Sequence, residues 1–315
     1  MEDYPKTLQE LEKRFSTEDG CRSYLISLRW PNGFICPRCG HTKAWEMKNG
    51  IFWCASCSYK ASVTAGTIFN RTKKPLVDWF RVIWHVTSQK YGASAKGLQR
   101  ILGFGSYETA WTWLHKLRRA MVRKGRDRLN GEIEVDETFV GGEKQGGKRG
   151  RGASGKSLVL ISAQRDGKKL GRIRLKRIPN ASAEALTKGI KEAIEPGSLV
   201  KTDAWKGYSK LNNCGYKHII VRKTEDVGEN LLPGCNLVAS LMKRWLGGTL
   251  QGAVSHAHLE YYLDEFTFRF NRRTSQYRGK LFYRLLQQAV ITDVTTYDEI
   301  KKGIQRKRDV DHDIL

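Results

Sequence analysis

The sequence predicts a multi-domain α+β protein. Three observations predict it: two pairs of closely spaced cysteines near the N-terminus, helical periodicity from about residue 75 to 123, and alternating strand-like segments after Gly131. A chain of 315 residues can form two or three domains, and a hydrophobic content of 40% is that of a folded protein. The predicted parts are helices with a cysteine ribbon, a helical region, an α/β domain and a charged tail, at residues 1–70, 71–128, 129–290 and 291–315.

The chain is strongly basic. It has 56 Lys and Arg against 32 Asp and Glu, a formal net charge of +24. Such an excess indicates a polyanionic partner without saying which, and a merely soluble basic surface is the less favoured alternative. We find no apolar stretch of about 18 residues and no early run resembling a signal peptide, so no membrane is expected. An odd number of cysteines, seven, favours reduced thiols in a cytosolic setting.

The four paired cysteines are Cys36, Cys39, Cys54 and Cys57, with fourteen residues between the pairs. Each pair can place two thiolates on one metal, and four thiolates in a tetrahedron favour zinc. With four protein ligands such a zinc ion is structural. Four unrelated thiols or a redox pair are the alternatives. The remaining three cysteines of the chain are interpreted as ordinary buried or half-buried side chains: Cys21, Cys214 and Cys235.

A helix-turn-helix is indicated between Ser94 and Arg123. A short helix ends before Gly103, and Ser106 is a suitable N-cap for a second, longer helix. In such a motif the N-terminal part of the second helix enters the major groove, which predicts base contacts from Tyr107 and Thr112. A purely structural helical pair is the alternative, because the apolar positions of the second helix show only packing.

Two aspartates follow strand-like runs in the α/β domain. Asp136 ends the alternating run that begins at Glu132, and Asp203 follows the short strand 199–202. Acids at strand ends of one α/β sheet can meet at the edge where such folds bind ligands. Paired carboxylates can hold two divalent ions for phosphodiester chemistry, although either Asp taken alone reads better as a solvated loop residue. The Gly-rich basic segment 141–155 is predicted to be a mobile loop.

Three motifs together carry a family resemblance. They are VDETFVGG at 135–142, TDAWKGY at 202–208 and YLDEFTFRFNRR at 262–273. In this order, after a cysteine ribbon, they resemble the zinc-ribbon DDE-type transposases of bacterial insertion sequences, the ISXO2-like group related to eukaryotic Merlin elements. The resemblance runs from Cys36 to about residue 285. It implies an RNase H-like core, catalytic Mg²⁺ or Mn²⁺, cleavage at element ends and joining to target DNA.

The resemblance also implies catalytic residues. Its two carboxylates correspond to Asp136 and Asp203, and its third position, seven residues before a Lys, corresponds to Asn236 with Lys243. Asn replaces a third acid here, which is the Asp-Asp-Asn-Lys variant; Mg²⁺ can accept its carbonyl oxygen, and Lys243 can contact a phosphate. Alternatively, Asn236 is a helix N-cap. The third ligand is then a nearby acid, Glu265 or Asp264.

The expected partner is double-stranded DNA, both the element's terminal inverted repeats and the target. Predicted contacts besides the helix-turn-helix are Lys206, Arg269, Arg272 and Arg273. We expect a homo-oligomer on DNA, at the bacterial nucleoid in the cytoplasm. Two rival hypotheses are an element-derived DNA-binding regulator without catalysis and another RNase H-like nuclease, such as a junction resolvase. A metal-dependent cleavage assay distinguishes a transposase from the regulator. An assay of strand joining distinguishes it from the other nuclease.

Overall fold

The computed structural model describes residues 2–123, 125–141, 156–224, 230–250 and 254–303. Residues 142–155 of the predicted mobile loop and 304–315 of the predicted tail lie outside this set. Within it, the helices are α1 Leu8–Arg14, α2 Glu18–Arg29, α3 Leu76–Ser88, α4 Ala95–Leu102, α5 Tyr107–Ala120, α6 Ala183–Ala193, α7 Pro233–Thr249, α8 Leu259–Phe270, α9 Arg278–Ala289 and α10 Tyr297–Lys301. The strands are β1 Ala44–Met47, β2 Ile51–Cys54, β3 Lys60–Ser62, β4 Glu132–Val140, β5 Ser157–Asp166, β6 Lys169–Ile178, β7 Leu199–Thr202 and β8 Lys217–Ile220. None of the described helices is long and apolar enough to cross a membrane.

The chain forms two compact units. The first unit contains Met1–Arg123 and Thr274–Lys302. The main segment of the second unit is Lys124–Arg273. The sequence-based division assigned residues up to 290 to the α/β domain, but α9 packs on α3 in the first unit. The cause is aromatic packing: the Phe282 ring lies 5.6 Å from Phe80 and 5.7 Å from Trp84. The segment assigned to the tail contains α10, whose N-terminus is capped by a capping box at Thr296.

The first unit combines the cysteine ribbon with the helix-turn-helix. In the ribbon, β1, β2 and β3 form an antiparallel three-stranded sheet. The outline of α4, turn and α5 is confirmed, with Gly103 in the left-handed region at φ 62° and the Ser106 side chain accepting from the Glu108 amide. The Trp79 ring of α3 stacks on Trp113 of α5 at 3.7 Å. Most of α5 is therefore committed to packing.

The second unit is built on a five-stranded mixed sheet in the order β6-β5-β4-β7-β8. β4, β5 and β6 are antiparallel neighbours, and β7 and β8 run parallel to β4. In chain order this is 3-2-1-4-5, the arrangement of an RNase H-like core. Residues of β5 alternate between two hydrophobic clusters, one with α7 and α8 and one with α6, so helices cover both faces. The predicted fold class is confirmed.

Candidate active site

The sheet register brings Asp136 and Asp203 together. β4 and β7 pair in parallel up to Glu134, which lies opposite Lys201. Continued by two residues beyond the last pair, the same register would set Asp136 level with Asp203, which directly follows the end of β7. The expectation that Asp136 ends its strand was wrong, because pairing with β5 continues to Val140. Asp136 lies in the middle of β4 and just beyond the end of its parallel pairing, which leaves its side chain half-buried at a gap in the sheet.

Backbone amides orient both carboxylates. The Glu137 N–H donates to Asp136 Oδ1 at 2.9 Å, and the Trp205 N–H donates to Asp203 Oδ1 at 3.0 Å. These two hydrogen bonds fix the orientation of the carboxylates relative to the backbone.

Tyr208 connects the two motifs beneath the carboxylates. Its hydroxyl donates to Glu137 Oε2 at 2.5 Å, and its side chain is fully buried. Burial raises the pKa of Tyr208 well above its usual range, and the charges of Glu137, Asp136 and Asp203 add to this shift. Both aspartates thus act on one buried phenol, which agrees with the register. Sequence reasoning missed Tyr208 and Glu137, although both lie inside the quoted motifs.

The first turn of α7 lies against β4. The helix begins at Pro233, and its N-cap, Leu232, makes no side-chain capping bond. Instead, Glu134 Oε2 accepts from the Gly234 N–H at 2.6 Å and the Cys235 N–H at 3.1 Å. The alternative that Asn236 is the N-cap was therefore wrong, since Asn236 is the fourth helical residue. Its own N–H donates to the Leu232 carbonyl at 2.9 Å.

Asn236 and Lys243 lie on one exposed face of α7, two turns apart. Asn236 Nδ2 donates to Asn230 Oδ1 at 2.6 Å. Just before it, Cys235 is fully buried; burial raises the pKa of its thiol well above its usual range, and the charges of Asp136 and Glu134 add to the effect. The structure thus brings the turn that carries Asn236 to the strand that carries Asp136.

Glu265 and Asp264 have a different setting. Both are buried in α8, which packs on β6, with β5 between β6 and β4. Glu265 Oε1 lies 2.9 Å from Arg269 Nε. Glu265 is therefore the buried ion-pair partner of an arginine one turn later in the same helix.

The end of α8 is fastened to β6 by polar side chains. Asn271 Oδ1 accepts from the Ile173 N–H at 2.7 Å, and its Nδ2 donates to the Ile173 carbonyl at 3.1 Å. Arg272 lies over the Phe268 ring at 4.0 Å, and Arg273 donates to the Gly171 carbonyl at 3.2 Å. Asn271 thereby satisfies the backbone of an edge strand, a role that sequence reasoning missed. The three arginines already hold intramolecular partners, and their contact with DNA stays a prediction.

The four paired cysteines converge in the ribbon. Their Sγ atoms all lie within 4.8 Å of one another, with Cys36 to Cys57 at 3.7 Å and Cys39 to Cys54 at 3.6 Å. A zinc ion with Zn–S bonds of about 2.3 Å in a tetrahedron requires S···S separations of about 3.8 Å. The donor set and spacing therefore fit a structural zinc ion. Cys21 and Cys235 are buried and Cys214 is half-buried, as expected.

The two cysteine turns have the same backbone form. Gly40 N–H donates to the Cys36 carbonyl at 2.9 Å, and Ser58 N–H donates to the Cys54 carbonyl at 3.1 Å. Gly40 has φ 75° and Ser58 has φ 55°, both in the left-handed region. Backbone N–H groups of the second turn, from Cys57 first and then Ser56, lower the pKa of Cys54 to about 6. The backbone of the second turn thus favours the thiolate form of Cys54.

The other residues predicted to contact DNA are Tyr107 and Thr112 in α5 and Lys206 in the second unit, and they differ in exposure. Tyr107, the first residue of α5, is 48% exposed, and Thr112 one turn later is half-buried. The remainder of α5 is largely packed. In the second unit, Lys206 is exposed three residues after Asp203.

Residues 128–271 match the family model of the ISXO2-like transposase domain, and residues 16–60 match that of a transposase zinc-ribbon domain. An uncharacterised protein in the transposable element ISH50 of Halobacterium salinarum is 25% identical over 283 residues, 82% of this chain and 92% of its own length. An uncharacterised transposase-like protein of Haemophilus influenzae is 24% identical over 116 residues, 36% of this chain and 93% of its own. The crystal structure of the Mos1 strand transfer complex aligns over 72% of this chain and 79% of that one, with 12% identity and a TM-score of 0.29. This chain therefore carries a transposase zinc-ribbon domain followed by an ISXO2-like transposase domain.

Proposed function

We propose that this transposase cuts DNA at the ends of an insertion sequence and joins those ends to target DNA. Asp136, Asp203 and Asn236 form its metal-binding centre. The observation that carries this proposal is the parallel register of β4 and β7, which, continued by two residues beyond the last pair, would set Asp136 level with Asp203. The start of α7, with Asn236, lies against the same strand.

The donor set suits Mg²⁺ or Mn²⁺. These ions prefer oxygen ligands, and two half-buried carboxylates with the neutral Asn236 carbonyl supply them. When bound, such ions activate the attacking oxygen and neutralise charge on the phosphate and the leaving oxygen. Among the described residues, the only group of three or more acids, histidines and cysteines placed to share a metal is the cysteine cluster. Phosphate oxygens of DNA therefore have to complete the coordination.

Cleavage and joining exchange one P–O bond for another. In cleavage, a water oxygen bonds to phosphorus and the bond to the 3′ oxygen breaks, leaving a 3′-hydroxyl at the element end. In joining, that hydroxyl bonds to a target phosphorus and displaces the target's 3′ oxygen, which takes up a proton. Lys243, on the exposed face of α7 with Asn236, holds a phosphate oxygen as a point charge.

The rest of the chain brings DNA to this centre. A net charge of +24 attracts the phosphate backbone, Lys206 contacts phosphate next to Asp203, and the N-terminal part of α5, with Tyr107 and Thr112, reads the terminal repeats. The zinc ion is structural. An element has two ends, so we propose that at least two copies assemble on DNA, at the bacterial nucleoid.

The test is a cleavage and joining assay on the terminal repeats that flank the coding sequence, with Mg²⁺ present. Wild-type protein is expected to cut and join. Asp136→Asn and Asp203→Asn are expected to do neither at matched DNA occupancy. Cleavage without joining identifies another RNase H-like nuclease, and sequence-specific binding without cleavage identifies a regulator; either outcome overturns the proposal.

A further inference from the structure

We infer that Glu134 is a positioning residue of the catalytic centre: its carboxylate fixes the turn that carries Asn236 to the strand that carries Asp136. The inference rests on the proposed function for the identity of that centre. Glu134 does not itself contact a reacting group. It sets the distance between groups that do.

The contacts of Glu134 are those of a helix cap supplied from a distant strand. The side chain is buried, with the residue only 5% exposed. Oε2 accepts from the Gly234 and Cys235 amides at 2.6 and 3.1 Å, and Oε1 lies 3.4 Å from Arg165 Nε. Helix α7 has no capping side chain of its own, so Glu134 satisfies two of its unpaired first-turn N–H groups. Its negative charge also meets the positive end of the helix dipole.

Regular structure transmits this contact to the metal-binding residues. Glu134 and Asp136 are two residues apart in β4, and so they share one face of the strand. Gly234 and Asn236 are two residues apart in α7, less than one turn. A slide or tilt of the helix start along β4 must lengthen the Glu134 hydrogen bonds. These bonds therefore hold Asn236 in register with Asp136.

The absence of a Cβ atom at Gly234 leaves room for the Glu134 carboxylate. A Cβ atom on Gly234 would lie 2.8 Å from Glu134 Oε2 and 3.1 Å from Leu170 Cδ1. The closest atom is the end of a side chain, so alanine there displaces the carboxylate without requiring the backbone to move. At Gly247, near the other end of the same helix, no atom lies within 4 Å of an added Cβ. Gly247→Ala is thus the matched control for Gly234→Ala.

Glu132 provides the matched control for Glu134. It lies two residues earlier on the same face of β4 and also forms an ion pair, with Lys201 at 2.8 Å. That pair links β4 to β7, and the Glu132 side chain is 38% exposed. Glu132→Leu removes a strand carboxylate and its ion pair at a position remote from the start of α7.

The experiment measures single-turnover cleavage of element-end DNA at saturating DNA and Mg²⁺ by the full chain. Glu134→Leu, which has no acceptor for the Gly234 and Cys235 amides, and Gly234→Ala are expected to cleave about 100-fold more slowly, the effect of an error of about 1 Å in placing reacting groups. Glu132→Leu and Gly247→Ala are expected to cleave at the wild-type rate. DNA affinity is expected to be unchanged in all four variants.

A double-mutant comparison separates positioning from general destabilisation. If Glu134 acts through Asn236, then Gly234→Ala with Asn236→Ala is no slower than Asn236→Ala alone, because the residue being positioned is already gone. Rate losses that multiply, or wild-type cleavage by Gly234→Ala, overturn the inference. If Glu134→Leu does not fold, Gly234→Ala decides. Asp136→Asn is run alongside, since cleavage by that variant overturns the proposed function itself.

Discussion

The environments of Asn236 and Glu265 separate two candidates for the third ligand. Asn236 is exposed at the start of α7, beside the strand of Asp136, and its amide group donates to Asn230. Glu265 is 1% exposed and lies against Arg269 in a helix that packs on β6. Removing one partner of a buried ion pair lowers the free energy of unfolding, because the other charge is left in a poorly solvated site.

We therefore expect Asn236→Ala and Glu265→Gln to fail in different ways. Asn236→Ala should slow strand cleavage with little change in the free energy of unfolding. Glu265→Gln should lower the free energy of unfolding by about 1–3 kcal/mol, the value of a hydrogen bond to a charged group, while cleavage at permissive temperature continues. Denaturant unfolding and cleavage measured on the same preparations test this. An inactive but stable Glu265→Gln beside an active Asn236→Ala would move the third ligand to Glu265.

The two cysteine turns offer a paired test of backbone strain. Gly40 and Ser58 occupy equivalent left-handed positions, and no atom lies within 4 Å of a Cβ added at Gly40. The left-handed region costs a residue with a Cβ about 1 kcal/mol, which glycine avoids. We expect Gly40→Ser to destabilise the zinc-loaded chain and Ser58→Gly to stabilise it, each by about 1 kcal/mol. Thermal unfolding measures both, and shifts of the same sign would contradict this explanation.

Helix α5 combines a packed body with an exposed first turn. Its body is packed through Trp113 and Leu117, while Tyr107 remains exposed. Burial also lowers the pKa of Lys116, so even its charged positions are partly enclosed. The proposed base contacts therefore lie in the N-terminal part of the helix.

We expect Tyr107→Ala and Thr112→Ala to weaken binding to the terminal repeat by about 1–3 kcal/mol each, with little effect on unrelated DNA. Lys96→Ala on α4 is the control: an exposed lysine that contacts phosphate should weaken binding to both DNAs equally. Fluorescence anisotropy with both duplexes measures the ratio. Equal losses on the two duplexes in Tyr107→Ala would leave α4 and α5 as a structural pair.

Four cysteines of the ribbon are placed to share one metal ion, which would link its three short strands. We expect about one zinc per chain by elemental analysis, since four thiolates fill the coordination of the ion. Cys36→Ser with Cys54→Ser removes one ligand from each pair and should abolish zinc retention. Chelation should increase hydrogen exchange in β1, β2 and β3, because structural zinc contributes folding free energy directly. Zinc retained in the double variant would refute the site.

For the whole molecule, we expect charge to couple DNA binding to metal binding. Two carboxylates attract Mg²⁺ but leave most of its coordination to water and phosphate. We expect weak Mg²⁺ binding to the free protein and tighter binding when element-end DNA is present, measured by titration calorimetry. DNA affinity should fall steeply and linearly with salt on logarithmic axes, and Asp203→Asn should retain it or increase it. Equal Mg²⁺ affinity with and without DNA would show that the protein alone completes the site.

Several features could be read from local sequence. The cysteine spacing predicted the convergence of Cys36, Cys39, Cys54 and Cys57, and Ser106 after a glycine turn predicted the start of α5. Alternation in β4 predicted which side chains face the core, since Ile133 and Val135 are fully buried. These signals are local because ligand turns, helix caps and strand periodicity each involve neighbouring residues.

The sequence by itself determined the domain types, the family and the residues to suspect. Only the tertiary structure decided that Asp136 lies mid-strand, that Glu134 caps a helix 100 residues away, and that α9 packs with the N-terminal helices. It also assigned Asn271 and the neighbouring arginines to fastening α8. The physical reason is common to all of these. Strand register, long-range capping and helix docking depend on free energies of contact between distant segments, which periodicity within one segment does not encode.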